Sequence, residues 1–327
     1  MQSSDFVIIL SRQRSGTNAL RSVLNLHPDI FSVPEIFDNR MADNWDIIAG
    51  TNTFRAIETT YFRFLEKRST GRLREILLAE DDEALFLEFL EYLRCFTDKR
   101  YLALDIKYLS THHIRKAWHF ITEEPFLFTL IKKHGLRVLN LTRRNLLRYY
   151  LSEVKAKTAN NWHAFDESVV GEKRWYKEWR KSATPTDDAP VQLNIPDLLQ
   201  NLQLCKSENE VVERSFAGYA PFLTFDYDDM FKTLGAPIAD PILNRITGWL
   251  EIPAGFAQKK PEYKKLSNLP LEKAIANYSE VAEALRGTDF EYCLTDERMY
   301  HPASARNKSS KQKRSAPAVK RKQQASK

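Results

Sequence analysis

Two groups of residues in this chain have the types and spacing to hold anions. The first is Ser11-Arg12-Gln13-Arg14-Ser15-Gly16-Thr17-Asn18. Gly16 lets the backbone approach an anion closely. Arg14 carries a permanent, forked cation, and Ser15 and Thr17 add hydroxyl donors. A helix opening at Asn18 adds outward-pointing N–H groups and the positive end of its dipole. The second group is Arg143-Arg144-Asn145, with Ser152 eight residues after Arg144. Arg144 ends an expected strand and Ser152 falls about two turns into the next helix, so one dianion could be held between them. Asn145 suits the N-cap of that helix. The dipole disfavours unpaired cations at a helix start, so two Arg there call for an anionic partner.

Holding those residues requires strands that run into loops and helices. Five apolar or β-branched runs read as strands: Phe6–Leu10, Ile30–Val33, Tyr101–Lys107, Arg137–Thr142 and Phe222–Asp226. Helical spacing of apolar residues follows Asn18 to His27, Phe126 to Lys133, Leu146 onward, Ile195 to Phe216, Pro241 to Leu250 and Leu271 to Leu285. Strands alternating with helices predict one α/β domain over 1–302, with a parallel sheet of four or five strands and helices on both faces. Residues 41–100 read as a helical insertion, with apolar faces over Thr59–Arg68 and Glu83–Phe96, able to cap the substrate side. Residues 165–192 are polar, with Pro185 and Pro190, and read as a long gating loop.

Glu35 follows Pro34 at the end of the second strand, the edge where open α/β sheets bind their ligands. Lys107 stands at the end of another strand, either as a surface Lys or reaching the ligands. His112 and His113 are adjacent and point in different directions, which is not a metal signature. The turn at Arg14 is also not the phosphate loop of nucleotide hydrolases, because the first Gly and the Lys of G-x-x-x-x-G-K-[ST] are absent.

Composition narrows the partners. The net charge is +6, but residues 303–327 hold nine Lys or Arg and no acid, leaving 40 basic against 43 acidic groups elsewhere. The body is therefore not a general nucleic-acid binder. The tail lacks an apolar face and is expected to stay unfolded. It is either a solvated extension or is drawn to an acidic surface or membrane. Cys95, Cys205 and Cys293 are few and far apart, as in a reducing compartment. No run suggests a signal peptide or a membrane span, so a cytoplasmic protein is expected.

Arg14-Ser15-Gly16-Thr17 resembles the 5′-phosphosulfate loop of the sulfotransferases that use 3′-phosphoadenosine 5′-phosphosulfate (PAPS). Arg144, Asn145 and Ser152 resemble that family's 3′-phosphate motif, whereas Arg143 would put Leu151 in the Ser slot. Pro34-Glu35 resembles the strand end that carries the base in several branches. Tyr227-Asp228-Asp229-Met230 is similar to the family's Tyr-Glu-Asp-Leu. The segment around Trp162-His163 looks like bacterial sulfotransferases of the trehalose-sulfating type. The resemblance spans about residues 5–295.

It implies a P-loop-like fold with PAPS held by Arg14, Ser15, Gly16, Thr17, Asn18, Arg144 and Ser152. It also implies a basic loop folding over the nucleotide, with Lys259, Lys260, Lys264 and Lys265 as candidates and Lys264 and Lys265 favoured. Glu35 and Arg14 would be catalytic, and no metal is expected. Lys107, His112 and Trp162 are candidates on the acceptor side. Trp162 either stacks on a base or sugar face or anchors the loop. The implied reaction is sulfuryl transfer to a hydroxyl, with an amine as the second choice, of a small-molecule or glycan acceptor of carbohydrate or glycolipid type. A nucleotide kinase and a non-catalytic nucleotide-binding module are the alternatives.

Overall fold

The structure is a computed structural model. It describes residues 5–38, 46–49, 52–69, 81–114, 124–158, 167–171, 189–231, 237–256, 260–262 and 269–295. Five strands form one parallel sheet: β1 (Phe6–Ser11), β2 (Ile30–Glu35), β5 (Tyr101–Lys107), β6 (Arg137–Thr142) and β7 (Phe222–Asp226). Their order across the sheet is β2-β5-β1-β6-β7. The expected α/β class and strand count are what the structure shows.

The sheet is buried on both faces because its strands are apolar in both directions, as parallel strands require. On one face Phe6, Ile8, Leu10, Leu104 and Ile106 pack under α2 (Tyr61–Ser69), α3 (Asp82–Arg94) and α4 (Phe126–Lys133). On the other, Val7, Ile9, Ala103 and Leu139 meet Leu20, Val23 and Leu24 of α1 (Thr17–Leu24), and α9 (Asp240–Leu250) through Leu243 and Ile246. Leu20 and Val23 are fully buried, and each such side chain contributes about 1.5–3 kcal/mol. These two residues hold the loop helix on the sheet.

A third cluster joins α5 (Leu146–Thr158), α7 (Ile195–Ser215), α10 (Leu271–Ala274) and α11 (Tyr278–Leu285). Two short helices, α6 (Glu167–Val170) and α8 (Tyr227–Met230), lie between these elements in the chain, and a 3-10 turn at Glu291–Leu294 follows α11.

Two expectations are corrected. Within the region read as helical, β3 (Asp46–Ala49) and β4 (Asn52–Arg55) form an antiparallel pair. Ile47, Ile48, Thr53 and Phe54 are β-formers, and their local preference outweighs the helical spacing seen around them. The helix expected over Leu271–Leu285 is also broken. Ile275 makes a parallel bridge to Val191, and Asn277 clamps Leu193 with both amide groups at 2.9 Å. Those pairings take the backbone out of helical geometry before α11 begins.

The chain leaves β1 toward β2 on one side and leaves β5 toward β6 on the other, and β1 and β5 are neighbours. The crevice between their carboxyl ends is therefore the topological switch point, where open α/β sheets bind ligands. Ser11 and Lys107 are paired in register there.

Candidate anion-binding active site

The loop after β1 turns sharply because two of its residues take left-handed geometry: Arg14 at φ 62° and Gly16 at φ 84°. Successive turns of this kind aim backbone N–H groups into one concavity. Gly16 caps α1 without a side-chain bond, and the first turn of that helix carries no acid. The N–H groups and the positive end of the dipole are thus left for an external anion. A Cβ on Gly16 would lie 2.4 Å from the Tyr227 ring. The loop therefore packs directly on α8, and only Gly fits. Ser15 and Thr17 are buried, and Asn18 accepts from Arg21 at 3.0 Å.

Lys107 ties this loop to the neighbouring strands. Its ammonium donates to Asp105 Oδ1 at 2.6 Å, Thr17 Oγ1 at 2.7 Å and Ser11 Oγ at 3.4 Å. It stands 3.7 Å from Glu35 Oε1. The strand period explains the first contact, since residues 105 and 107 share a face. The approach of Glu35 has another cause. The register between β2 and β5 shifts between Val33 and Glu35, so that Val33 faces Leu104 and Glu35 faces Asp105. Pro34 has no N–H for the ladder and is suited to such an irregularity. The shift aims Glu35 to the side that Asp105 and Lys107 occupy. Burial raises the Glu35 pKa, Lys107 opposes that, and Asp105 adds to it.

Basic groups converge on the other side of the loop. Arg14 Nε donates to Ser152 Oγ at 3.2 Å. Arg143 donates to the Arg14 carbonyl at 3.2 Å and lies over the Tyr227 ring at 4.8 Å. The Arg143 Nε is buried with no hydrogen-bond partner among the described residues. Burial, and then the Arg143 charge, lower the Arg14 pKa to about 10. Two guanidiniums held this close favour a shared anion. Arg144 faces elsewhere: it donates to Asp229 at 2.8 Å and is 3.6 Å from Asp226. Asn145 caps α5, accepting from the Arg148 N–H at 2.9 Å.

The structure thus gathers Arg14, Ser15, Gly16, Thr17, Glu35, Lys107 and Ser152 around one crevice, and turns Arg144 to the acids of β7 and α8. His112 is exposed, and its neighbour His113 packs on Phe37 and Phe62. Burial and the adjacent His112 lower the His113 pKa. Lys260 donates to Ser168 at 2.5 Å. Trp162, Lys259, Lys264, Lys265, most of the expected gating loop and the basic tail lie outside the described residues.

Sequence reading missed three residues. Asp105 was legible, because it lies two positions from Lys107 on one strand. Arg143 was set aside on spacing to Ser152, yet it is the Arg that braces the loop. Tyr227 was legible as part of the Tyr-Asp-Asp-Met segment, but its packing against Gly16 was not, because that contact forms across the fold.

The sheet order, the left-handed loop and the clustered cations define an α/β protein with a cation-lined strand–loop–helix at its switch point. No protein-family model matches the chain, and a comparison with curated proteins finds no match. Among solved structures it is similar to the sulfotransferase domain of the olefin synthase from Synechococcus PCC 7002, at 15% identity and a TM-score of 0.35, over 84% of this chain and 82% of that one. Among the described residues no group of three or more His, Cys, Asp or Glu could hold a metal ion, and no helix is long and apolar enough to cross a membrane.

Proposed function

We propose that the protein is a PAPS-dependent sulfotransferase acting on a hydroxyl of a carbohydrate or glycolipid acceptor in the cytoplasm. The observation that carries this reading is the pairing of half-buried Arg14 with Arg143 at the start of α1, an arrangement suited to a ligand with more than one negative charge. The buried, unpartnered Arg143 Nε fits the same ligand. Arg14, Arg143, Ser152 and the loop amides would hold PAPS, which would supply an activated sulfuryl group. Glu35 takes the acceptor's proton, and its raised pKa suits a base. Arg14 and the loop amides neutralise charge developing on the leaving group. The basic tail is offered to an acidic surface or membrane.

A panel of glycan and small-molecule alcohols incubated with radiolabelled PAPS tests the reading. Labelled product from any of them supports it, and none from a folded protein that binds the nucleotide argues for a non-catalytic module. One contact favours a second reading, phosphoryl transfer: Lys107 lies 2.7 Å from Thr17 Oγ1, bringing an ammonium to the loop from another strand. Tighter binding of ATP-Mg²⁺ than of 3′-phosphoadenosine 5′-phosphate would select it.

A further inference from the structure

Glu35 and Asp105 are two carboxylates that share one ammonium, and the sharing is unequal. Lys107 Nζ is 2.6 Å from Asp105 Oδ1 and 3.7 Å from Glu35 Oε1. Asp105 is fully buried and Lys107 is 3% exposed, whereas the Glu35 side chain is 25% exposed. The inner carboxylate therefore holds the cation, and the outer one faces the crevice. Asp105 has a second anchor, since its carbonyl accepts the Ile36 N–H at 3.1 Å. That bond fixes the distance between Asp105 and the chain just after Glu35. The other Asp105 oxygen, Oδ2, is buried with no hydrogen-bond partner among the described residues. Asp105 thus holds Lys107 with one oxygen and leaves the other without a partner among the described residues, an unsatisfied atom that a purely structural pairing does not require.

We propose that Asp105 is a positioning residue: it draws the Lys107 ammonium toward the loop hydroxyls and away from Glu35, leaving Glu35 able to accept a proton. The proposal rests on the reading of Glu35 as the base. The proton travels from the acceptor hydroxyl to Glu35, and Asp105 and Lys107 exchange none. The charged groups that act on Glu35 are Lys107 and Asp105 from β5, Asp38 from the turn after β2, and Arg21 from α1. Of these, Lys107 is the largest attractive influence, so its position decides how readily Glu35 is protonated.

The test is the titration of Glu35 by carbon NMR of protein labelled at the Glu side-chain carboxyl, with the signal assigned through Glu35→Gln. In Asp105→Asn, an isosteric change, the ammonium moves toward Glu35 and the midpoint falls by about one pH unit or more. In a Lys107→Gln background the same change shifts the midpoint by less than half as much, because the cation it acts through is gone. No fall, or an equal fall in both backgrounds, overturns the proposal. Should Asp105→Asn not fold, Lys107→Gln decides alone: the Glu35 midpoint rises, and an unmoved midpoint overturns it. The acid limb of the kcat/KM profile follows the NMR midpoint down if Glu35 is the base. A midpoint that falls while that limb stays put supports the role of Asp105 and removes Glu35 as the base.

Discussion

Arg14 and Ser152 are hydrogen-bonded, Nε to Oγ at 3.2 Å, across 138 positions of the chain. The contact brings together the two groups of residues that the sequence offers as candidates for holding an anion. It also assigns roles that spacing did not. Ser152 meets the loop cation, while Arg144, its partner by spacing, is held by Asp229 at 2.8 Å.

Nucleotide binding is the first expectation. 3′-Phosphoadenosine 5′-phosphate should bind without Mg²⁺ and raise the melting temperature by mass action. Arg143→Ala should weaken that binding by about 1.5–3 kcal/mol, the range of a charged hydrogen bond. Arg144→Ala reports on the 3′-phosphate. If Arg144 leaves Asp229 to bind it, the variant should barely distinguish the bisphosphate from adenosine 5′-phosphate. Isothermal calorimetry measures both, and unchanged affinity in Arg143→Ala would remove that residue from the site.

Glu35→Gln should keep nucleotide affinity within about threefold, well under the 1.4 kcal/mol of a tenfold change. Turnover should fall by about two orders of magnitude or more. The double change His112→Ala, His113→Ala should cost far less, because neither His is bonded to Glu35 or Lys107 among the described residues. Steady-state rates at saturating PAPS decide between them. The reverse pattern would show that the base has been misassigned.

Two glycines separate strain from crowding. Gly16 and Gly135 both have positive φ, 84° and 62°. An added Cβ at Gly16 meets the Tyr227 ring at 2.4 and 2.5 Å, whereas at Gly135 nothing lies within 4 Å. Gly135→Ala should lose about 1–2 kcal/mol, the cost of left-handed geometry with a side chain. Gly16→Ala adds overpacking of about 1–3 kcal/mol. Urea unfolding measures the difference, and equal losses would mean that Tyr227 does not press on the loop.

Asp226 sets a pH dependence. Burial first, and then the Asp228 charge, raise its pKa from 3.8 to about 6, against the pull of Arg144. A carboxyl with a raised folded pKa contributes stability below its unfolded value and loses it as pH rises through the folded value. The loss therefore falls between about pH 4 and pH 6, and reaches about 3 kcal/mol at most by neutral pH. Asp226→Asn keeps an acceptor for the Asp228 N–H, bonded at 2.8 Å. It should flatten that part of the stability profile. An unchanged slope in urea midpoints from pH 4 to 7 would refute the assignment.

Local pattern was enough to find the frame. Tyr101–Lys107, Arg137–Thr142 and Phe222–Asp226 are strands with the bounds their residue types suggest, because buried parallel strands need continuous apolar runs. The Arg14–Thr17 turn was likewise legible, since Gly between a strand and a helix has a backbone reason to be there. Contacts across the sheet were not. A strict period of two would aim Glu35 with Val33, and the irregular register at Pro34 turns it toward Lys107 instead. The choice between Arg143 and Arg144 likewise depends on where Tyr227 and Asp229 of a distant helix come to lie. Periodicity reports the face of an element on which a residue sits, whereas the partner across a crevice is set by packing between elements far apart in the chain.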